Sequence, residues 1–399
     1  MAGGLAGRPR KRTPGGSLAS ETEGDKMNKP LHIRGALLPE GRERDLFLRD
    51  GRISFEAGGD AETILDSGYV IPGLVDAHAH LPFAGPAPED GSWDEKARAN
   101  ARAHLDAGVL AVRDPGGPTP KEIGPQEGLP RAYVAGRFLA VPGGMFPEHG
   151  ARELPEEQIP EAAEEELEYS GAWVKLIGDF PGRAGRIESK FQPETLAEVA
   201  RRVHAAGGRV TIHAFLPETI DAVIDAEFDC IEHGVMLQPD QARAMADRNI
   251  ALVPTISGLE NWPEILGMFS APADEIERTA EALRNHGETV RTAWESGVTV
   301  LAGTDAGLVN HGLVRNEVTA MVAAGISVEY ALGAASWNAR AFLGLPGIEE
   351  GGFGDLVAYE SNPLEDPSAL ANPTLIVLDG RIVRSPVPTT TFRKGRRGH

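Results

Sequence analysis

The sequence predicts an α/β protein: a (β/α)8 (TIM) barrel with a small β-sandwich domain assembled from both chain ends. Three observations predict it. Between residues 70 and 346, apolar strand-like runs alternate with helical stretches eight times. The segments before and after are strand-like only, and Asp50-Gly51 and Asp379-Gly380 supply hairpin turns. No Gly-x-Gly-x-x-Gly follows the first strand of the alternating region, which weighs against a doubly wound dinucleotide fold.

Taken in order, residues 1–28 are rich in Gly, Pro, Ser and charge and have no hydrophobic period, so they read as a disordered extension. Met27 stands just before the first structured segment and is a candidate start. Residues 29–69 and 347–386 read as the composite β-domain, since neither set of short runs makes a stable sheet alone. Within the barrel region, 70–346, strands are expected at 70–78, 109–114, 131–139, 172–178, 209–214, 230–233, 251–256 and 298–304. Helices are expected at 94–107, 156–170, 193–206, 217–227, 238–248, 272–296, 314–324 and 327–343. Pro193-Glu194 and Pro217-Glu218 put proline and acid in a first turn, and Gly108, Gly207, Gly297, Gly325 and Gly344 mark helix ends. Residues 387–399 form a basic tail.

Composition excludes several classes of function. A net charge of −20 repels nucleic acid and anionic membranes, so neither is an expected partner. No apolar run approaches the roughly 20 residues that span a bilayer, and no secretory h-region follows the N-terminal basic residues. The lone cysteine, Cys230, rules out an intramolecular disulfide framework and fits a cytoplasmic protein; a small core residue suits its apolar setting better than a nucleophile. A small-molecule substrate is the expected partner, with a homo-oligomer left open.

The chemistry concentrates at the C-terminal ends of the expected strands, where barrels of this kind place their sites. His78 and His80, spaced i, i+2 at the first strand's exit, point to the same side. His213 ends the fifth strand, His233 the sixth and Asp305 the eighth, while Lys175 lies inside the apolar fourth strand. Imidazoles and a carboxylate from one rim are the ligand types of Zn²⁺ and related ions, with a position left for water. Lys175 is one of only eight lysines, and an amine on an apolar strand needs either a ligand role, a route to the rim or a partner such as Asp179. His149 and His311 lie in loops after strands three and eight and are candidate substrate contacts. Arg113 holds a substrate carboxylate or braces a loop with Asp114, bracing being favoured. His32, His104, His204, His286 and His399 read as surface or structural.

These pieces together resemble the amidohydrolase superfamily, in the branch of imidazolonepropionase-related and metal-dependent Xaa-Pro dipeptidase-like enzymes. The resemblance rests on Gly73-Leu74-Val75-Asp76-Ala77-His78-Ala79-His80, Val174-Lys175-Leu176, Ile231-Glu232-His233-Gly234 and Gly303-Thr304-Asp305-Ala306-Gly307. Val112-Arg113-Asp114 and the Leu332–Asn338 helix add to it, and it spans about residues 31–385.

The resemblance implies two divalent metal ions, zinc being expected. His78, His80 and Asp305 would hold one, His213 and His233 the other, and a CO2-derived carbamate on Lys175 would bridge them. It further implies a metal-bridging hydroxide as nucleophile and Asp305 as general acid/base, acting on an amide or cyclic amide C–N bond. A dipeptide or N-acyl amino acid is the first substrate expectation. The chain departs from its relatives after strand three, where many carry Gly-Gly-His-Gly and this chain has Gly143-Gly144-Met145, with His149 as the nearest replacement. The alternatives are a mononuclear cyclic-amide hydrolase or deaminase, against which Lys175 weighs, and a non-catalytic scaffold, which loss of ligands would have signalled.

Overall fold

The computed structural model describes residues 29–57, 59–86, 90–146 and 149–386; the expected N-terminal extension and basic tail lie outside the described residues. The architecture is mixed α/β. Both chain ends contribute to one eight-stranded sheet in the order Arg381–Arg384, Leu375–Leu378, Leu356–Tyr359, Tyr69–Pro72, Leu31–Leu37, Arg42–Arg49, Arg52–Ser54, with Glu62–Leu65 added alongside Leu31–Leu37. The two Asp-Gly pairs turn its hairpins: Asp50 and Gly51 have φ of 47° and 77°, Asp379 and Gly380 have 52° and 76°. Two successive left-handed residues are what a two-residue hairpin between right-twisted strands requires.

The middle of the chain forms parallel strands. Leu74–Asp76, Val109–Asp114 and Arg131–Val134 make one sheet. Arg152–Glu153, Leu139–Ala140, Trp173–Ile177, Arg209–Ala214, Cys230–His233 and Ala251–Val253 make the other. The expected eighth strand is irregular, yet it is hydrogen-bonded on both flanks. Leu301 N–H donates to Leu252 O at 2.9 Å, while Ala77 N–H donates to Ala302 O at 2.9 Å and Asp305 N–H to His78 O at 2.8 Å.

Helices cover these strands with their apolar stripes. On Pro193–Ala205, Leu196, Val199, Ala200 and Val203 are buried. That spacing of 3, 4 and 7 lays one face against the core, where Val174, Leu176, Val210, Ile212, Ile231 and Leu252 point outward from the strands to meet it. Trp93–Asp106 opens with a capping box in which Ser92 and Glu95 each accept the other's backbone N–H.

The structure differs from the expected elements at four further places. The 131–139 strand is two: Arg131–Val134 pairs with Val109–Asp114, and Leu139–Ala140 with Trp173–Ile177. The 70–78 strand is two: Tyr69–Pro72 pairs in the chain-end sheet, and Leu74–Asp76 opens the parallel one. Gly73 separates them because a Cβ there would lie 2.4 Å from the Leu110 side chain. The 327–343 helix is also two, Val328–Ala334 and Trp337–Phe342, with Ser336 between them donating its hydroxyl to Pro72 O at 2.8 Å. A further helix, Trp262–Met268, forms within the loop after Ala251–Val253.

Asp355 ties the chain ends to the parallel strands. Its buried carboxylate accepts from Arg131 Nε at 3.1 Å, Arg340 Nη2 at 3.4 Å and the Asp379 N–H at 2.8 Å. Arg340 is itself 1% exposed, so removing its partner would leave a buried guanidinium uncompensated. Asp355→Ala should lower unfolding stability by about 3 kcal/mol. Equal urea midpoints for variant and wild type would reject this coupling.

Candidate metal centre

Three buried side chains converge. His78 Nε2 and His80 Nε2 lie 3.1 Å apart, and each lies 3.2 Å from Asp305 Oδ1. The outer ring nitrogens decide what this triangle is. His78 Nδ1 faces Glu232 Oε2 at 2.7 Å and His80 Nδ1 faces the Gly116 carbonyl at 2.7 Å. Both partners only accept, so both Nδ1 atoms carry the proton. The two Nε2 lone pairs are then turned on each other with a carboxylate beside them. Acceptors crowded in this way call for a cation between them, and their separations suit a common ion bound at about 2.0–2.2 Å. His78, His80 and Asp305 are the one such group of His, Cys, Asp or Glu among the described residues.

Electrostatics point the same way. Burial works against the Asp305 anion, but His78 and His80 hold its carboxyl well below the usual range. His80 is pushed up to about 9: burial opposes its cation, and Asp114 and Asp305 outweigh that. A divalent ion would replace that proton, so its binding would release H⁺.

The remaining expected ligands line the same pocket. His213 and His233 have ring centroids 4.6 Å apart, and His233 lies 5.1 Å from His78. His233 Nδ1 is bonded to Thr255 Oγ1 at 2.7 Å, while His213 Nε2 is 3.6 Å from Asp179. Burial, Lys175 and His78 drive His213 down to about 3, against the pull of Asp305 and Glu232, so it is neutral at physiological pH. Lys175 is 1% exposed and has no hydrogen-bond or ion-pair partner among the described residues. Burial pulls its amine down to about 8, against the pull of Glu232.

Local backbone strain accompanies the site. His233, Thr255 and Asp305 have φ of 69°, 51° and 55°. Non-glycine residues sit there only when the surroundings force them to. The left-handed turn at His233 breaks strand alternation, so Glu232 and His233, adjacent in sequence, both serve the site.

Of the expected substrate contacts, His149 lines the pocket, as does Met145 of the variant loop. His311 does not: its ring bonds His104 Nε2 at 3.1 Å and the Phe83 carbonyl at 2.8 Å. Arg113 neither lines the pocket nor braces Asp114. It is fully buried, donating to Ala77 O at 2.8 Å and to Glu232 Oε1 at 2.6 Å. Asp114 instead accepts from the Leu81 and Gly116 N–H groups at 2.9 and 3.0 Å. His32 and His204 pair with Asp45 and Asp229, both at 2.8 Å, and His286 bonds the Pro254 carbonyl at 2.9 Å. Burial pushes the Cys230 thiol up to about 12, as an inert core residue requires.

Glu232 is the residue the sequence reading missed. It is fully buried, joins Arg113, His78 and Thr211, and is held ionised by Arg113, His78 and Lys175 against its burial. The available signal was a carboxylate inside the apolar run Cys230-Ile231-Glu232-His233.

A cation-binding constellation at the ends of parallel α/β strands is the hallmark of a metal-assisted hydrolase. The comparisons with known proteins agree. The sequence profile of the amidohydrolase family matches residues 69–383, and the chain belongs to that family, as a hydrolase acting on C–N bonds. An uncharacterized protein of Mycobacterium tuberculosis is 38% identical over 356 residues, which cover 88% of this chain and 95% of the relative. A Xaa-Pro dipeptidase with methionine bound in its active site is similar in structure, with a TM-score of 0.74 at 24% identity, over 90% of this chain and 100% of that one. A putative prolidase from Bifidobacterium longum gives 0.72 at 25%, over 90% and 96%.

Glu232→Gln should weaken divalent metal binding by about 10- to 100-fold, because the His78 tautomer is no longer fixed by an anion; an unchanged titration would refute the role. Glu317 gives a pH prediction. It is fully buried, accepts the Ile256 and Ser257 N–H groups, both at 2.8 Å, and is raised by burial to about 7 from 4.5. A raised carboxyl binds its proton more tightly when folded, so its contribution is complete below pH 4.5 and lost as pH climbs through 7. The stability of wild type relative to Glu317→Gln should therefore fall by about 2 kcal/mol between roughly pH 5 and 8. A difference independent of pH would contradict it.

Proposed function

We propose that this protein is a binuclear metal-dependent amidohydrolase that cleaves amide or cyclic amide C–N bonds of a small molecule. The observation that carries the reading is the His78–His80–Asp305 triangle with both Nδ1 atoms sealed by acceptors. In this reading those three residues would hold one ion, His213 and His233 would hold the second, and Lys175, as its carbamate, would be a ligand to them. Zinc is the proposed metal, since imidazole and carboxylate donors suit it. The parallel strands are read as a (β/α)8 barrel, supported by the hydrogen bonds on both flanks of residues 299–306. The chain-end sheet is read as the accompanying small β-sandwich, supported by its own apolar cluster around Ile33, Leu46, Val70 and Val377. The proposed division keeps residues 29–69 and 347–386 for the small domain and 70–346 for the barrel, with the Tyr69–Pro72 strand paired in the chain-end sheet. With no helix among the described residues long and apolar enough to cross a membrane, and one buried thiol, the proposed compartment is the cytoplasm.

Bound metal would acidify a water and polarise the scissile carbonyl. The chain's own part falls to Asp305, kept ionised by His78 and His80. It takes the proton of the attacking water as oxygen adds to the carbonyl carbon. It then delivers that proton to nitrogen as the C–N bond breaks, giving a carboxylic acid and an amine, between which the acid's proton passes on release.

Metal analysis and two variants test this. Wild type should carry about two ions per chain, and Asp305→Asn should lose about 10³-fold or more in kcat. Lys175→Ala should lose metal and regain part of it with short carboxylic acids that replace the carbamate. Full metal content without rescue in Lys175→Ala, or near-normal turnover in Asp305→Asn, would overturn the proposal.

A further inference from the structure

We infer that the substrate is a neutral amide bearing an aromatic or other apolar group, with no carboxylate on the part that enters the pocket. This rests on the reading of the site as an amide hydrolase and narrows it. The pocket opens over the metal-site side chains His78, His80, Lys175, His213, His233 and Asp305. Its walls away from the metal-site side chains are Phe83, Phe138, Phe146, Phe180, Trp262 and Met145, completed by Ile177, Leu308, Gly307 and His149. Phe83 stacks on Phe138 at 6.3 Å, and Phe180 meets Phe146 edge-on at 5.2 Å. Aromatic faces in this arrangement offer large apolar area to a ring.

What the walls lack is equally specific. Among the described lining residues there is no arginine, and Lys175 is the one lysine. The expected cation, Arg113, is sealed behind the site by Glu232. His149 packs edge-on against Phe83 at 4.4 Å and near Phe146 at 5.1 Å. A dipeptide or N-acyl amino acid would have to bring its carboxylate among these rings with no arginine or lysine of the wall to meet it, which is costly. Drawn instead to the cationic floor, the carboxylate would take the place that the scissile carbonyl needs. The net charge of −20 also repels an anionic substrate on approach. Trp262 adds an indole to the wall, its Nε1–H buried and without an acceptor among the described residues.

The test is a matched pair: N-(2-phenylethyl)benzamide and N-benzoylphenylalanine, which differ by the carboxylate alone. Hydrolysis of either adds water across the C–N bond, releasing benzoate and the amine. On metal-loaded full-length enzyme, kcat/KM for the neutral member should exceed that of the acid by at least about 10-fold. Leu308→Arg, at a partly exposed wall position, should raise the acid's value by about 10-fold and narrow the gap. Equal or better turnover of the acid by wild type overturns the inference. Calorimetric titration of both compounds onto the full-length chain reads the preference without turnover. If neither compound is cleaved by enzyme holding two metals, the amide reading fails for this pair. The titration then still decides, with tighter neutral binding supporting the inference and tighter acid binding overturning it.

Discussion

One buried carboxylate governs the arrangement of this site. Glu232 sits between the Arg113 guanidinium, at 2.6 Å, and His78 Nδ1, at 2.7 Å. The arginine keeps the carboxylate charged in a place where burial alone would protonate it. The charged carboxylate in turn fixes the proton on His78 Nδ1 and frees Nε2. Without that constraint His78 could turn a donor toward His80, and the two rings would satisfy each other with a hydrogen bond. With it, His78 Nε2, His80 Nε2 and Asp305 converge on one point that the His80 proton or a metal ion can occupy. Arg113 is anchored from behind by the Ala77 carbonyl and lies 4.9 Å from the Trp173 ring, so the device is built into the strands rather than the loops.

The second constraint is backbone geometry. His233, Thr255 and Asp305 occupy left-handed conformations that cost free energy. Each is held by contacts that a relaxed backbone would lose. Asp305 N–H donates to the His78 carbonyl, and Thr255 Oγ1 bonds His233 Nδ1. Strand ends would otherwise splay alternate side chains to opposite faces. The strained residues gather them on one side, and the apolar packing beneath carries the strain.

Much of this was legible in the sequence. The strands Val109–Asp114, Arg209–Ala214 and Cys230–His233 follow from apolar runs ended by polar residues, and the two hairpins follow from Asp-Gly. Lys175 was legible because a lysine within an apolar strand has few structural uses. Glu232 carried the same signal and was passed over, since His233 beside it drew the reading. Thr255 and the Gly116 carbonyl carried none: a hydroxyl and a backbone oxygen acquire their roles only when the chain folds. Arg113 and His311 were misjudged for a related reason. His311 stands in a loop and Arg113 near a strand end, positions that suggested access to substrate, whereas their hydrogen-bond partners, His104 and Glu232, come from elements 207 and 119 residues away. The break at Gly73 depends on Leu110, and the helix break at Ser336 on the Pro72 carbonyl, both contacts between distant segments.

The family fixes the general chemistry, and the pocket lining sets what enters it. The aromatic walls and the sealed Arg113 are what the proposed preference for a neutral substrate rests on.

The most direct measurement is anomalous diffraction from crystals of the metal-loaded protein. The account predicts a metal peak about 2.0–2.2 Å from His78 Nε2, His80 Nε2 and an Asp305 oxygen together. A peak bound elsewhere on the molecule, or His78 meeting the metal through Nδ1, would contradict it.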